Sequence, residues 1–388
     1  MKIVIAPDSY KESLSATEVA QAIEKGFREI FPDAHYVSVP VADGGEGTVE
    51  AMIAATQGTE HHALVTGPLG EKVNACWGMS GDGATAIIEM AAASGLALVP
   101  PAARNPLLTT SRGTGELILN ALDKGASNII IGIGGSATND GGAGMMQALG
   151  AKLCDANGKE IGFGGGSLMT LNSIDVSGLD PRLANCAIRV ACDVTNPLLG
   201  EQGASRIFGP QKGANEAMIR ELDSNLSHYA DVIKSSLRID VKNVPGAGAA
   251  GGMGAALMAF LGAELKSGIE IVTQALKLEE HIHDCNLVVT GEGRLDSQSI
   301  HGKVPVGVAK VASKYHKPVI GIAGSLTPDV GVVHQYGIDA VFSVLTSISS
   351  LEEAFRGASD NIYRASRNIA ATLQVGTVSY THLTLPTI

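Results

Sequence analysis

At 388 residues the chain is long for a single hydrophobic core, so two domains are expected. Its net charge of −11, from 28 basic and 39 acidic residues, argues against broad nucleic-acid binding, which rests on a basic surface. Hydrophobic residues make up 45%, enough for two cores, yet no run of 18 uninterrupted apolar residues occurs, so no membrane span is expected.

Aromatics contribute only 4%, with Trp77 the single tryptophan, so the cores must be aliphatic. The 48 glycines cluster beside apolar runs, which suggests sharp turns and close backbone approach. Cys76, Cys154, Cys186, Cys192 and Cys285 form no CxxC pair and are odd in number. They read as reduced thiols, and with an N-terminus that reads as a first strand and not a signal peptide, a cytoplasmic protein is expected.

The β-branched run Lys2–Ala6 predicts the first strand. Ser15 with Glu18 three residues later forms a capping box, and Val19, Ile23, Phe27 and Ile30 follow at helical spacing until Pro32. His35–Val41 predicts a second strand, so the chain opens as a βαβ unit on a parallel sheet. In the middle, Thr85–Met90, Asn128–Gly132 and Ile188–Cys192 read as short strands, with helices at Arg112–Lys124 and Gly141–Ala148. Near the end the opening rhythm returns: strand Asn286–Thr290, helix Lys303–Lys314, strands Pro318–Ala323 and Ala340–Val344, and one long helix Leu351–Leu373.

The fold class is therefore α/β with two domains. The first is a Rossmann- or flavodoxin-like parallel sheet made of residues 1–62 and 284–375, and the second, 63–283, is inserted into it. Residues 376–388 read as a non-native tail, because the stretch from Val378 breaks the preceding helical pattern and resembles translated vector or adapter sequence.

Four loops carry possible chemistry. Asp8-Ser9-Tyr10-Lys11-Glu12-Ser13 follows the first strand, and Lys11 near a helix start can meet an anion. Asp43-Gly44-Gly45-Glu46-Gly47-Thr48 places two carboxylates among glycines, where they can hold a cation or orient a hydroxyl. The stretch Gly132–Gly142 is the strongest: its glycines allow an inward-pointing amide nest, Ser136, Thr138 and Asn139 add neutral donors, and Asp140 opens a helix. Finally Thr290–Gln298, with Gly302-Lys303, mixes Glu292, Arg294, Asp296 and Lys303 on what reads as one flexible loop.

Other spellings are weaker. Gly132-x-Gly134-x-x-Ala137 and Gly246-x-Gly248-x-x-Gly251 fit the dinucleotide fingerprint, but neither has a clear acidic residue about 20 positions on at the end of a second strand, and the second lacks a good preceding strand. The P-loop, the protein-kinase set, a zinc-ligand spacing and G-x-S-x-G are missing. A two-domain α/β enzyme with an anion site rich in carboxylates remains, a profile that suits phosphoryl transfer.

On these blocks the chain resembles the type I glycerate kinases, which serve glucarate/galactarate and glyoxylate breakdown in bacteria. The match runs over Ala6–Ser13, Ala42–Thr48, Gly134–Gly142, Thr290–Gln298 with Gly302-Lys303, Cys192–Leu198 and Phe208–Gly213, from residue 1 to about 374. The resemblance implies ATP- and Mg²⁺-dependent phosphorylation of D-glycerate, at the 2-hydroxyl in the sugar-acid branch, by two α/β domains closing over the site. Within it, Asp296 or Asp193 is the expected carboxylate at the attacking hydroxyl, Arg294 meets the substrate carboxylate, and Lys11 meets phosphate. Gly134, Gly135, Ser136, Thr138, Asn139 and Asp140 are expected to bind the nucleotide, and Asp43, Glu46 and Glu292 are the alternatives for metal. The partner is a small molecule, with no nucleic acid and no membrane, and self-association is left open. Transfer to the 3-hydroxyl and a dinucleotide-dependent oxidoreductase built on the Gly132 loop are the alternative readings.

Overall fold

A computed structural model of the chain describes residues 1–45, 47–300, 302–346 and 350–381. It is an α/β protein that divides into two compact units, Met1–Asp43 with Val272–Ile388, and Gly44–Ile271.

The first unit is built on five parallel strands in the spatial order His35–Ser38, Lys2–Ile5, Leu287–Leu295, Val319–Leu326, Ala340–Ser343. Counted along the chain within the unit this is 2-1-3-4-5, the flavodoxin-like order. The central strands read as continuous apolar runs because both faces are covered, and Ile3, Ile5, Val289 and Ile322 are buried completely. Ser15 starts the helix Ala16–Ile30 through the expected box: its Oγ accepts from the Glu18 amide at 3.3 Å, and Glu18 Oε2 accepts from the Ser15 amide at 2.9 Å. Val19, Ile23 and Phe27 form its buried face. It packs closely on the helix Ala358–Thr381, where a Cβ on Gly26 would lie 2.5 Å from the Tyr363 carbonyl oxygen.

Two elements differ from the sequence-based expectation. Gly291-Glu292-Gly293-Arg294 is not a flexible loop but the second half of the strand Leu287–Leu295, whose parallel register against Val319–Leu326 persists to Leu295. The expected single helix from Leu351 is two, Leu351–Arg356 and Ala358–Thr381, parted at Gly357. The second of these runs through 376–381, past the position where the helical pattern was expected to end; 382–388 lie outside the described residues.

The second unit has a six-stranded mixed sheet in the order Glu264–Lys266, Ala187–Ala191, Asn128–Gly132, Thr85–Glu89, Lys72–Met79, Thr59–Thr66. The first four pair in parallel and the last two antiparallel. Trp77, Ile88, Leu117, Ile129 and Ile131 sit in its core, and the Trp77 indole N–H donates to Asn120 Oδ1 at 2.9 Å. This unit begins at Gly44, not at residue 63, for a physical reason. Thr59–Thr66 forms a hairpin with Lys72–Met79, and the helix Thr48–Thr56 packs on that sheet, with its Val49 amide donating to Glu89 Oε1 at 2.9 Å. Among the described residues no helix is long and apolar enough to cross a membrane.

Candidate functional site

In the first unit the chain leaves three parallel strands at their carboxyl ends, where ligands of open α/β sheets bind. A cavity of about 420 Å³ opens there, lined by Asp8, Lys11, Asp43, Glu292, Arg294 and Lys303 among others. Asp8 is 7% exposed, and its Oδ1 accepts from the Ser9 amide at 2.7 Å and from Ser9 Oγ at 3.3 Å. Burial first, then the Asp43 carboxylate and more weakly Glu292, push its pKa up to about 7 against the Ser9 amide. Burial likewise raises Glu292, opposed by the Ser299 hydroxyl that donates to Oε1 at 2.6 Å and by Lys303, whose Nζ is 3.5 Å from Oε2. The Tyr10 hydroxyl donates to the Ile322 carbonyl at 2.9 Å and anchors this loop to the sheet.

The structure therefore brings together Lys11, Asp43, Glu292, Arg294 and Lys303 of the residues singled out by sequence, with Asp8 of the Lys11 loop beside them. Asp296 does not line the cavity. Its Oδ1 accepts from the Gln298 amide at 2.9 Å and lies 3.6 Å from Lys303 Nζ, while Oδ2 lies 3.4 Å from Arg294 Nε. It thus pairs with two of the three cations that do line it, Arg294 and Lys303. Asp193 belongs to the second unit, where it is exposed and accepts from the Gly268 amide at 3.1 Å. Glu46 lies outside the described residues.

In the second unit the strand Asn128–Gly132 runs into the glycine loop, which turns sharply at Gly135, φ +74°. Gly134 and Gly135 are exposed, and no neighbour crowds their Cα atoms beyond Ala91 Cβ at 3.5 Å from a Cβ on Gly135. The Gly135 carbonyl is tied down, since it accepts from the Leu96 amide at 2.8 Å. Ser136, Thr138, Asn139 and Asp140 are buried instead. The Asp140 carboxylate is satisfied inside the unit: Oδ2 accepts from the Ser111 amide and hydroxyl, both at 2.8 Å, and Oδ1 from the Gly142 amide at 3.1 Å. Burial still raises its pKa. The Asn139 amide nitrogen donates to Ser205 Oγ at 3.0 Å, whereas Asn139 Oδ1 and Thr138 Oγ1 are buried without a partner among the described residues.

Sequence reasoning missed Lys212 as a participant in this loop. Its Nζ donates to Ser136 Oγ and to the Thr138 carbonyl, both at 2.6 Å. A lone lysine between Gln211 and Gly213 carries no local sign of burial, and only the block that contains it drew notice. Asp8 stands in the sequence only as the first residue of the loop that carries Lys11, and nothing in its sequence context shows that Asp43 and Glu292 arrive beside it.

Among the described residues no group of three or more His, Cys, Asp or Glu side chains stands ready as a metal cage. That does not conflict with Mg²⁺, which is usually held through one or two carboxylates plus substrate phosphates and waters. Asp8, Asp43 and Glu292 are carboxylates on the cavity wall.

The model of the glycerate kinase family matches residues 3–374. The chain is 85% identical to glycerate 2-kinase of Escherichia coli (strain K12) over 97% of its length and 99% of the relative's. It is 59% identical to glycerate kinase of Bacillus subtilis (strain 168), covering 97% and 98% of the two chains. In structure it matches a protein from Salmonella typhimurium LT2 provisionally assigned as glycerate kinase 2, with TM-score 0.91, 65% identity and coverage of 97% and 99%. A match that spans both units and every loop described above has one meaning: the chain belongs to the glycerate kinase family.

Proposed function

We propose that this protein transfers the terminal phosphoryl group of ATP to the 2-hydroxyl of D-glycerate, giving 2-phospho-D-glycerate and ADP. The observation that carries the reading is the first unit's cavity, where Lys11, Arg294 and Lys303 face Asp8, Asp43 and Glu292 at the carboxyl ends of parallel strands. A small hydroxy acid fits such a mixed-charge surface, because phosphoryl transfer is chiefly a matter of positioning and charge neutralisation. Family membership supports ATP as donor, and the 85% identical relative named glycerate 2-kinase favours the 2-hydroxyl.

In this reading Arg294 takes the glycerate carboxylate, since a guanidinium matches a carboxylate with two parallel hydrogen bonds. Lys11 meets phosphate, and Asp43 and Glu292 hold Mg²⁺, which neutralises phosphate charge when bound. The proton acceptor is expected to be Asp296 or Asp193, neither of which lines the cavity; Asp296 orients Arg294 and Lys303 from behind its wall. The exposed Gly134-Gly135 turn, followed by Ser136, receives nucleotide phosphate. The five free cysteines suit a reducing, cytoplasmic setting. The test is ADP release on adding D-glycerate and MgATP, with phosphorus NMR of the product. A 2-phosphate signal is the expected result. A 3-phosphate assigns the other hydroxyl, and a nicotinamide absorbance change without ADP would replace the kinase by an oxidoreductase.

A further inference from the structure

Lys212 is 2% exposed, one of the largest fully buried side chains of the protein, and the backbone around it is built to keep it so. It ends the short helical turn Pro210–Lys212, and Gly213 follows at φ +93°. A Cβ at that glycine would lie 2.4 Å from the Arg104 carbonyl oxygen, so both the left-handed conformation and the close approach require glycine. Lys212 then spends two of its three N–H bonds on Ser136 Oγ and the Thr138 carbonyl. These acceptors lie on the buried stretch directly after the exposed pair Gly134 and Gly135.

A buried ammonium is a costly way to tie two loops together, because a neutral amide or hydroxyl can make the same bonds without desolvating a charge. Nor does a carboxylate compensate it: among the described residues Asp140 acts on Lys212 only through its field, its own oxygens being taken by Ser111, Gly142 and Gly144. The loop beside it holds two further buried polar atoms without a partner among the described residues, the Thr138 hydroxyl and Asn139 Oδ1. A buried ammonium with no carboxylate in direct contact among the described residues, directly behind an exposed glycine turn, is half of an anion site.

We propose that Lys212 is a positioning residue for the nucleotide: it locks Ser136 and Thr138 from behind, and its ammonium is the counter-charge that phosphates lying on the Gly134-Gly135 turn draw on. The inference rests on the reading that this loop holds nucleotide phosphate. Burial lowers the Lys212 pKa to about 7, with Asp140 pulling the other way, so above neutral pH the empty protein carries much of this amine uncharged. An anion in front of the turn favours the charged form. Nucleotide binding above neutral pH therefore takes up a proton at Nζ. The charged and titratable groups around Lys212 are Asp140, the Tyr229 hydroxyl on the helix Glu216–Leu237, which senses Asp140, and Arg104, whose guanidinium donates to the Gln211 carbonyl.

The experiment is calorimetric titration of ADP, in excess magnesium, into the whole protein at about pH 8, in two buffers of different ionisation heat. At that pH the ADP phosphates are already ionised, so proton uptake reports on the protein. The wild type is expected to take up a substantial fraction of a proton. Lys212→Met, first checked for a cooperative melt, is expected to bind ADP ~10-fold or more weakly, the worth of a charge-assisted contact, and to lose that uptake. If Lys212→Met does not fold, the wild-type buffer dependence decides alone, and no uptake at pH 8 overturns the proposal. Gly135→Val separates the two layers of the argument. If it binds ADP as tightly as wild type, the phosphate reading of the loop fails and Lys212 with it. If it loses ADP while Lys212→Met keeps both affinity and proton uptake, the role given to Lys212 fails by itself.

Discussion

Arg294 is 65% exposed in its side chain, and among the described residues its one ion contact is Nε at 3.4 Å from Asp296 Oδ2. Its terminal nitrogens thus remain available for a ligand on the cavity wall. Lysine in its place keeps the charge but loses the planar fork, so Arg294→Lys is expected to raise the KM for glycerate ~10-fold or more while leaving that for ATP near wild type. Steady-state kinetics with each substrate varied in turn checks this, and an unchanged glycerate KM would return Arg294 to the surface. Asp8 makes a different prediction, about stability. Its folded-state pKa, about 7, stands above that of an ordinary aspartate, so the folded protein holds a proton that the unfolded chain has already lost. Stability from this group is complete below the ordinary aspartate range and falls as pH rises toward 7, by on the order of a few kcal/mol. Asp8→Asn should flatten that decline. In EDTA, its melting temperature should exceed wild type at about pH 8 and match it near pH 4, whereas the same gain at both would mean the charge is irrelevant.

Among the elements, those that depend on local chemistry were legible in the sequence. The Ser15–Glu18 box, the Val19, Ile23, Phe27 stripe and the strand Asn128–Gly132 are properties of neighbours in the chain, and each stands where the pattern puts it. What depends on distant partners was not. Gly291–Arg294 reads as a loop because two glycines and two charged residues lack strand propensity, yet pairing with Val319–Leu326 holds it extended. The same gap hid the inward path of Ser136 through Asp140 and the burial of Lys212, which depends on a turn closed 74 residues or more away from its acceptors. Gly26 belongs to this class as well. It sits inside a helix, where glycine is locally unfavourable, and its reason lies in the helix Ala358–Thr381: an added Cβ would lie 2.5 Å from the Tyr363 carbonyl oxygen and 2.8 Å from the Arg367 amide. Both are backbone atoms, so the helices must separate. Gly26→Ala should therefore destabilise the first unit by roughly 1–3 kcal/mol despite its better helix propensity. Urea denaturation followed by circular dichroism measures it, and a stabilised variant would show that the helix pair has slack.

At the scale of the whole molecule, each unit closes its own core. Ile3, Ile23, Phe27, Val289 and Ile322 form one cluster, and Trp77, Ile88, Leu117, Ile131 and Met146 belong to the other. Two cores of this kind need not melt together, and a chain with two domains is where the two-state approximation commonly fails. Calorimetric unfolding is expected to give an enthalpy above the van't Hoff value, with two components. Phe27→Ala and Leu117→Ala assign them. Both side chains are buried completely, and each truncation should cost about 2–5 kcal/mol in its own core. Phe27→Ala should then lower one component and Leu117→Ala the other. ADP, if it binds the glycine turn of the second unit, should raise the component that Leu117→Ala lowers, in proportion to RT ln(1 + [L]/Kd). A single transition that both variants shift equally would mean that the two cores unfold as one cooperative body, and that ligand effects on stability cannot be assigned to either unit.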